Sequence, residues 1–104
     1  MAFRLQHSVD AKRDMNKILV YLAEAFDAPN TARRFYDELH ACYKRMRKFP
    51  YMYPACRDME LAAKGFRCAQ VKRYIVFFTV LEETRVVRIH RILHGTMDYL
   101  NLPL

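Results

Sequence analysis

Residues 65–98 read GFRCAQVKRYIVFFTVLEETRVVRIHRILHGTMD, and this stretch decides the fold. Its middle, Tyr74 to Leu81, is YIVFFTVL, aromatic and β-branched, with no charge and no glycine. Such side chains suit a pleated surface, so a strand is expected. Both parities are apolar: Tyr74, Val76, Phe78 and Val80 on one, Ile75, Phe77, Thr79 and Leu81 on the other. A strand apolar on both faces is covered on both. Phe66 to Val71 and Arg85 to Leu93 are also rich in strand formers but carry Arg67, Arg88, His90 and Arg91. Short links, Lys72-Arg73 and Glu82-Glu83-Thr84, join the three segments. Links this short make successive antiparallel hairpins, a three-stranded meander.

Upstream the period changes. Phe3, Leu5 and His7 alternate with Ala2, Arg4 and Gln6, the pattern of a short half-buried strand. Ser8 then offers an N-cap hydroxyl, and Asp10 sits where a helix dipole favours an anion. Ala11, Met15, Ile18, Leu22 and Phe26 form one stripe of a helix. Asp27-Ala28-Pro29-Asn30 breaks it, and Asn30 can cap the next helix. There Ala32, Phe35, Leu39, Cys42 and Met46 form a seam, and Lys44, Arg45, Arg47 and Lys48 crowd the last turns. Those cations either complement the negative helix end or make a phosphate patch. Pro50 stops the helix, and Asp58 to Lys64 suits one further helical turn.

Two helices joined by a tight turn pack as an antiparallel hairpin. Laid on the sheet, they give a two-layer α+β domain: N-terminal strand, helix hairpin, three-stranded meander. The helices cover one sheet face. The other requires a second cover, from the tail Tyr99 to Leu104 or from a bound partner segment.

The 104 residues suit one domain spanning 1–104. Hydrophobic residues at 53% against 28% charged exclude a wholly disordered chain. With Gly at 2, no phosphate-cradling or dinucleotide loop is available, and no Gly-x-Ser-x-Gly occurs, so no cofactor is expected. No apolar run is long enough for a bilayer and the N-terminus lacks a signal h-region, so a cytoplasmic protein without membrane contact is expected. In that compartment Cys42, Cys56 and Cys68 are expected to be reduced and mostly buried. His90 and His94 straddle a strand end, where a spacing of four does not converge on a metal. The net charge of +7 suits an acidic partner, nucleic acid or protein, or serves solubility.

Chemistry-bearing residues concentrate in the meander. Arg67, Arg88 and His90 are expected on the sheet face away from the helices, with Arg73 in a turn and Arg91 near a strand end. Arg67, Arg88, His90, Arg91 and His94 are the candidate target contacts, since arginine forks suit phosphate and carboxylate. Imidazole, tyrosine and arginine together can also cleave RNA by acid–base chemistry with charge stabilisation. Alternatively the arginines pair with Glu82, Glu83, Asp58 or Glu60, and His94 bonds a turn.

Gly65-Phe66-Arg67, Tyr74 to Phe78, and Arg91-Ile92-Leu93-His94-Gly95 ending at Asp98 resemble the RelE/ParE toxin superfamily, and the order of elements matches over nearly the whole chain. The resemblance implies the toxin half of a bacterial type II, plasmid-stabilisation-type pair, held silent by an antitoxin wrapped around it. Tyr74, Val76, Phe78 and Val80 are the candidate antitoxin contacts. It implies one of two targets: DNA gyrase for ParE-like members, or ribosome-bound messenger RNA for the RelE-like nucleases. A nuclease here would use Arg67, Arg73, His94 and Tyr99. The superfamily's second catalytic arginine falls on Ile75, and its C-terminal basic residue near Thr96 or Met97. The ending and the Tyr-x-Val-Phe-Phe strand look more like the ParE side. A basic nucleic-acid-binding module without toxicity is the remaining alternative.

Overall fold

The computed structural model describes residues 2–25 and 29–96. Strand β1 (Arg4–His7) leads into helix α1 (Val9–Ala25), and helix α2 (Pro29–Lys48) follows. A short 3-10 turn (Pro50–Met52) and the short helix α3 (Met59–Ala63) lead to strands β2 (Arg67–Val71), β3 (Tyr74–Leu81) and β4 (Val86–His94). The sheet order is β1-β4-β3-β2. The meander pairs antiparallel as expected, and β1 joins it parallel to β4, with Arg4 opposite Val86 and His7 opposite Ile89. No helix among the described residues is long and apolar enough to cross a membrane.

Local signals explain the element ends. Ser8 caps α1: its Oγ accepts the Ala11 N–H at 2.9 Å and donates to the His90 carbonyl at 2.7 Å. Helix α2 starts at Pro29, whose fixed φ suits a first turn. Asn30 therefore lies inside the helix and is not its cap. Asp58 caps α3 by accepting the Leu61 N–H at 2.9 Å. Gly65 takes φ +87°, a conformation that side chains resist, and turns the chain from α3 into β2.

The main core lies between the helices and one sheet face. Phe35, Leu39, Cys42 and Met46 from α2 and Ala11, Ile18 and Leu22 from α1 meet Ala69, Val71, Tyr74, Val76, Phe78, Val87, Ile89 and Ile92. A second, smaller cluster lies on the opposite face, where Cys56, Leu61 and Phe66 cover Phe77 and Leu93. Phe77 and Phe78, adjacent in β3, are 1% and 0% exposed. Thus β3 is covered on both sides at its centre, and among the described residues the second cover is the chain's own segment 54–66, while Leu81 stays exposed and the tail Tyr99 to Leu104 lies outside the described residues.

The cysteines depart from expectation. Cys42 is free and buried, but Cys56 and Cys68 are joined in a disulfide. The cause is local pairing. Ala55 bridges Arg67, the Cys56 N–H donates to the Phe66 carbonyl, and the Cys68 N–H donates to the Pro54 carbonyl. That alignment sets the two Cα atoms 5.2 Å apart, within reach of a bridge.

Strand β4 outruns β1, so the edge of its second half away from β3 has no strand beside it. Helix α1 supplies the missing partners. The Asp14 carboxylate accepts the Ile92 N–H at 3.0 Å and takes the Arg91 guanidinium at 2.7 and 3.1 Å. Side-chain exposures of 11% for Asp14 and 19% for Arg91 make this a largely dry ion pair. Arg91 is thus a structural residue. Removing one partner of such a pair strands the other charge. Asp14→Ala should cost about 3 kcal/mol in urea unfolding, and Asp14→Asn less, because the amide oxygen still accepts the Ile92 N–H. A loss below about 0.5 kcal/mol for Asp14→Ala would show that water replaces the carboxylate at this edge.

Candidate functional site

Pairing register assigns each candidate to a face, because residues directly opposite share one. Arg67 opposes Phe78, which lies in the helix-side core. Arg67 therefore does not join Arg88 and His90 on the outer face. Alternation in β2 gives the reason: Ala69 and Val71 share its parity and are buried beneath the helices. Its guanidinium donates to the Tyr53 carbonyl at 2.6 Å and lies 5.0 Å from the Tyr51 ring centroid. It thereby pins the aromatic connection after α2 to the sheet.

Arg88 and His90 do lie on the outer face. Arg88 opposes Thr79 and donates to Gln6 Oε1 at 3.0 Å. His90 sits at a β-bulge where the register shifts between Phe77 and Phe78. Its Nε2 is 2.9 Å from Thr79 Oγ1, and its ring meets Phe66 edge-on at 4.7 Å. Burial and the charge of Arg88 push its pKa down, so the imidazole is held neutral. Gln6, Thr79, Arg88 and His90 form one polar strip across β1, β3 and β4. Gln6 and Thr79 were missed because a short strand's outward face carries no chemical signature of its own.

Arg73 and His94 come together at the other end of the sheet. The Gly95 N–H donates to the Arg73 carbonyl at 2.9 Å. The His94 ring meets Tyr74 edge-on at 5.3 Å, and its Nδ1 accepts the Thr96 N–H at 3.2 Å. Both residues line a cavity of about 550 Å³ with Tyr21, Arg34, Lys72 and Tyr74. Arg67 is four strand steps from Val71, about 13 Å at the usual rise per residue. The structure therefore separates Arg67 from the Arg73–His94 pair. Tyr99 lies outside the described residues.

The candidate antitoxin contacts require a correction. Tyr74, Val76 and Phe78 are buried beneath the helices, and Val80 packs against the same core. A partner would reach Val76 and Phe78 only by displacing a helix, whereas Tyr74 borders the cavity beside His94 and Val80 is only partly buried. The opposite parity is the one that borders open space. Ile75, Phe77, Cys68 and Gln70 floor a groove of about 540 Å³, walled by Tyr53 to Asp58 and by Leu61. It runs along β2, the strand at the sheet's end. Among the described residues, no three His, Cys, Asp or Glu side chains gather as a metal-ligand group.

His7 behaves like His90. Burial, then Lys12 and His40, push its pKa down. For an imidazole lowered in the folded state, the unfolded chain takes up protons first as pH falls below the ordinary value of 6.5. Stability is therefore full above that value and declines below it. Thermal melts from pH 7.5 to 5.5 should show this decline, and a His7→Gln, His90→Gln double variant should flatten it. An unchanged slope in the double variant would rule out these two rings as its source.

A family model described as the ParE toxin of type II toxin–antitoxin system, parDE, matches residues 5–99. No curated protein matches the chain by sequence. Among solved structures, the chain is similar to one from a chromosomal ParDE system of P. aeruginosa, at TM-score 0.70 and 18% identity, covering 89% of this chain and 96% of that one. It is also similar to one from the RelBE2 toxin–antitoxin complex of Mycobacterium tuberculosis, at TM-score 0.62 and 18% identity, covering 90% and 99%. A third, from the archaeal RelE–RelB complex of Pyrococcus horikoshii, has TM-score 0.51 and 17% identity, covering 94% and 100%.

Proposed function

The chain belongs to the ParE toxin family of type II toxin–antitoxin systems, and on that premise we propose that it arrests growth by acting on DNA gyrase until an antitoxin silences it. The observation that carries the choice of target is the separation of the nuclease candidates. Acid–base cleavage needs its groups within hydrogen-bond reach of one phosphodiester. Arg67 is committed to Tyr53 and Tyr51 at one end of β2, and Arg73 and His94 stand beyond the other. His94 Nδ1 is further occupied by Thr96. A toxin that binds a protein needs only a surface, and the strip of Gln6, Thr79, Arg88 and His90 offers one. Ribosome-dependent messenger RNA cleavage is the second reading, favoured only by the cations that cluster with His94 in the cavity beside Tyr74.

The antitoxin is assigned to the outer groove. Its floor is apolar at Ile75 and Phe77, and the net charge of +7 favours an acidic segment.

Supercoiling by purified gyrase, run beside messenger RNA cleavage on ribosomes, tests the target. The expected outcome is inhibited supercoiling with intact RNA. Cleaved RNA with unaffected gyrase would replace this reading with the nuclease one. Arg88→Ala should weaken gyrase inhibition by about tenfold, the worth of one charge-assisted hydrogen bond, while antitoxin still binds.

A further inference from the structure

Segment 54–66 is a roof over the outer sheet face, and it is held at a narrow neck. Ala55 bridges Arg67 there, two backbone hydrogen bonds link 54–56 to 66–68, and the Cys56–Cys68 disulfide locks the same place. Beyond the neck the roof rests on Leu61 and Phe66 against Phe77 and Leu93. Its helix α3 has five residues, too few to stand without support. Both cysteines line the groove, as does Arg57, whose charge favours a thiolate beside it.

We infer that the disulfide is a redox latch: a small dithiol reduces it through the groove, and the roof then loosens from β2 and widens that groove. Cys68 is partly exposed and Cys56 buried, so Cys68 Sγ is the sulfur attacked. The dithiol's thiolate bonds to Cys68 Sγ, and Cys56 leaves as thiolate and takes a proton from water. The second thiol of the dithiol then closes on its own sulfur and releases Cys68. Two electrons pass to the protein, and the dithiol leaves as its cyclic disulfide. Cys42 cannot compete for either sulfur. It lies in the helix-side core with the sheet between, and burial pushes its thiol pKa up.

The latch itself follows from the neck. Its effect on partner binding rests on the groove being the antitoxin surface. Amide hydrogen exchange on the purified chain, with and without dithiothreitol, tests the latch alone. Reduction should speed exchange in 57–66 about tenfold and leave 35–46 of α2 unchanged. Cys68→Ser should exchange like the reduced protein whether or not dithiothreitol is present, and Cys42→Ser like the wild type. Equal exchange in 57–66 before and after reduction would overturn the latch, as would two free thiols at Cys56 and Cys68 in air-oxidised folded protein. The gyrase assay on both forms is read separately: no inhibition by either would sink the target reading, and the exchange result would still decide the latch.

Discussion

Strand β4 has nine residues and β1 only four, and the domain is organised around that mismatch. A strand edge facing an apolar layer must have its N–H and C=O groups satisfied. Helix α1 and its cap do this with two polar side chains six residues apart. Ser8 takes the His90 carbonyl, and Asp14 takes the Ile92 N–H together with the Arg91 guanidinium. These bonds fix where α1 lies along the sheet, and with it the position of α2. The hydrophobic stripe drives α1 onto the sheet. The carboxylate decides at which residue it stops sliding.

With the helices fixed on one side, the other side carries the groove and the polar strip. Its apolar half is roofed by a short, cross-linked segment, and its polar half carries Arg88 and His90. On the proposed reading, an edge groove and a polar strip on the same face would give one protein room for an inhibitor and a target in close proximity. Neighbouring footprints would then make inhibition by occlusion simple, since a bound segment need not distort the fold to block the strip.

Much of this was legible in the residues. YIVFFTVL announced a strand whose centre is covered twice, and the α2 seam is buried from Phe35 to Met46 as its spacing implied, with Ala32 only partly so. Ser8 caps where its hydroxyl predicted. Other features were hidden for identifiable reasons. Asp14 occupies the core stripe between Ala11 and Ile18, but a rule that looks for apolar residues passes over a carboxylate and settles on its neighbour Met15. The side of Arg67 was recoverable from Ala69 and Val71, which share its parity. The disulfide was not recoverable, because compartment argued against it and only the bridge at Ala55 brings the two cysteines together. The choice of outer parity for the groove depended on which face the helices took, and alternation in a doubly apolar strand cannot say.

The bulge at His90 gives β4 a change of phase. Val87 and Ile89 reach the helix-side core at a step of two, and Ile92 reaches it at a step of three. The two halves of the strand thus obey opposite hydrophobic alternations. A one-residue insertion or deletion between Ile89 and Ile92 would exchange the wet and dry sets of half a strand. The same change in the turn at 82–85 would only lengthen or shorten a loop. Tolerance to length variation should therefore be very uneven along this hairpin, with the least of it at the histidine that breaks the pattern.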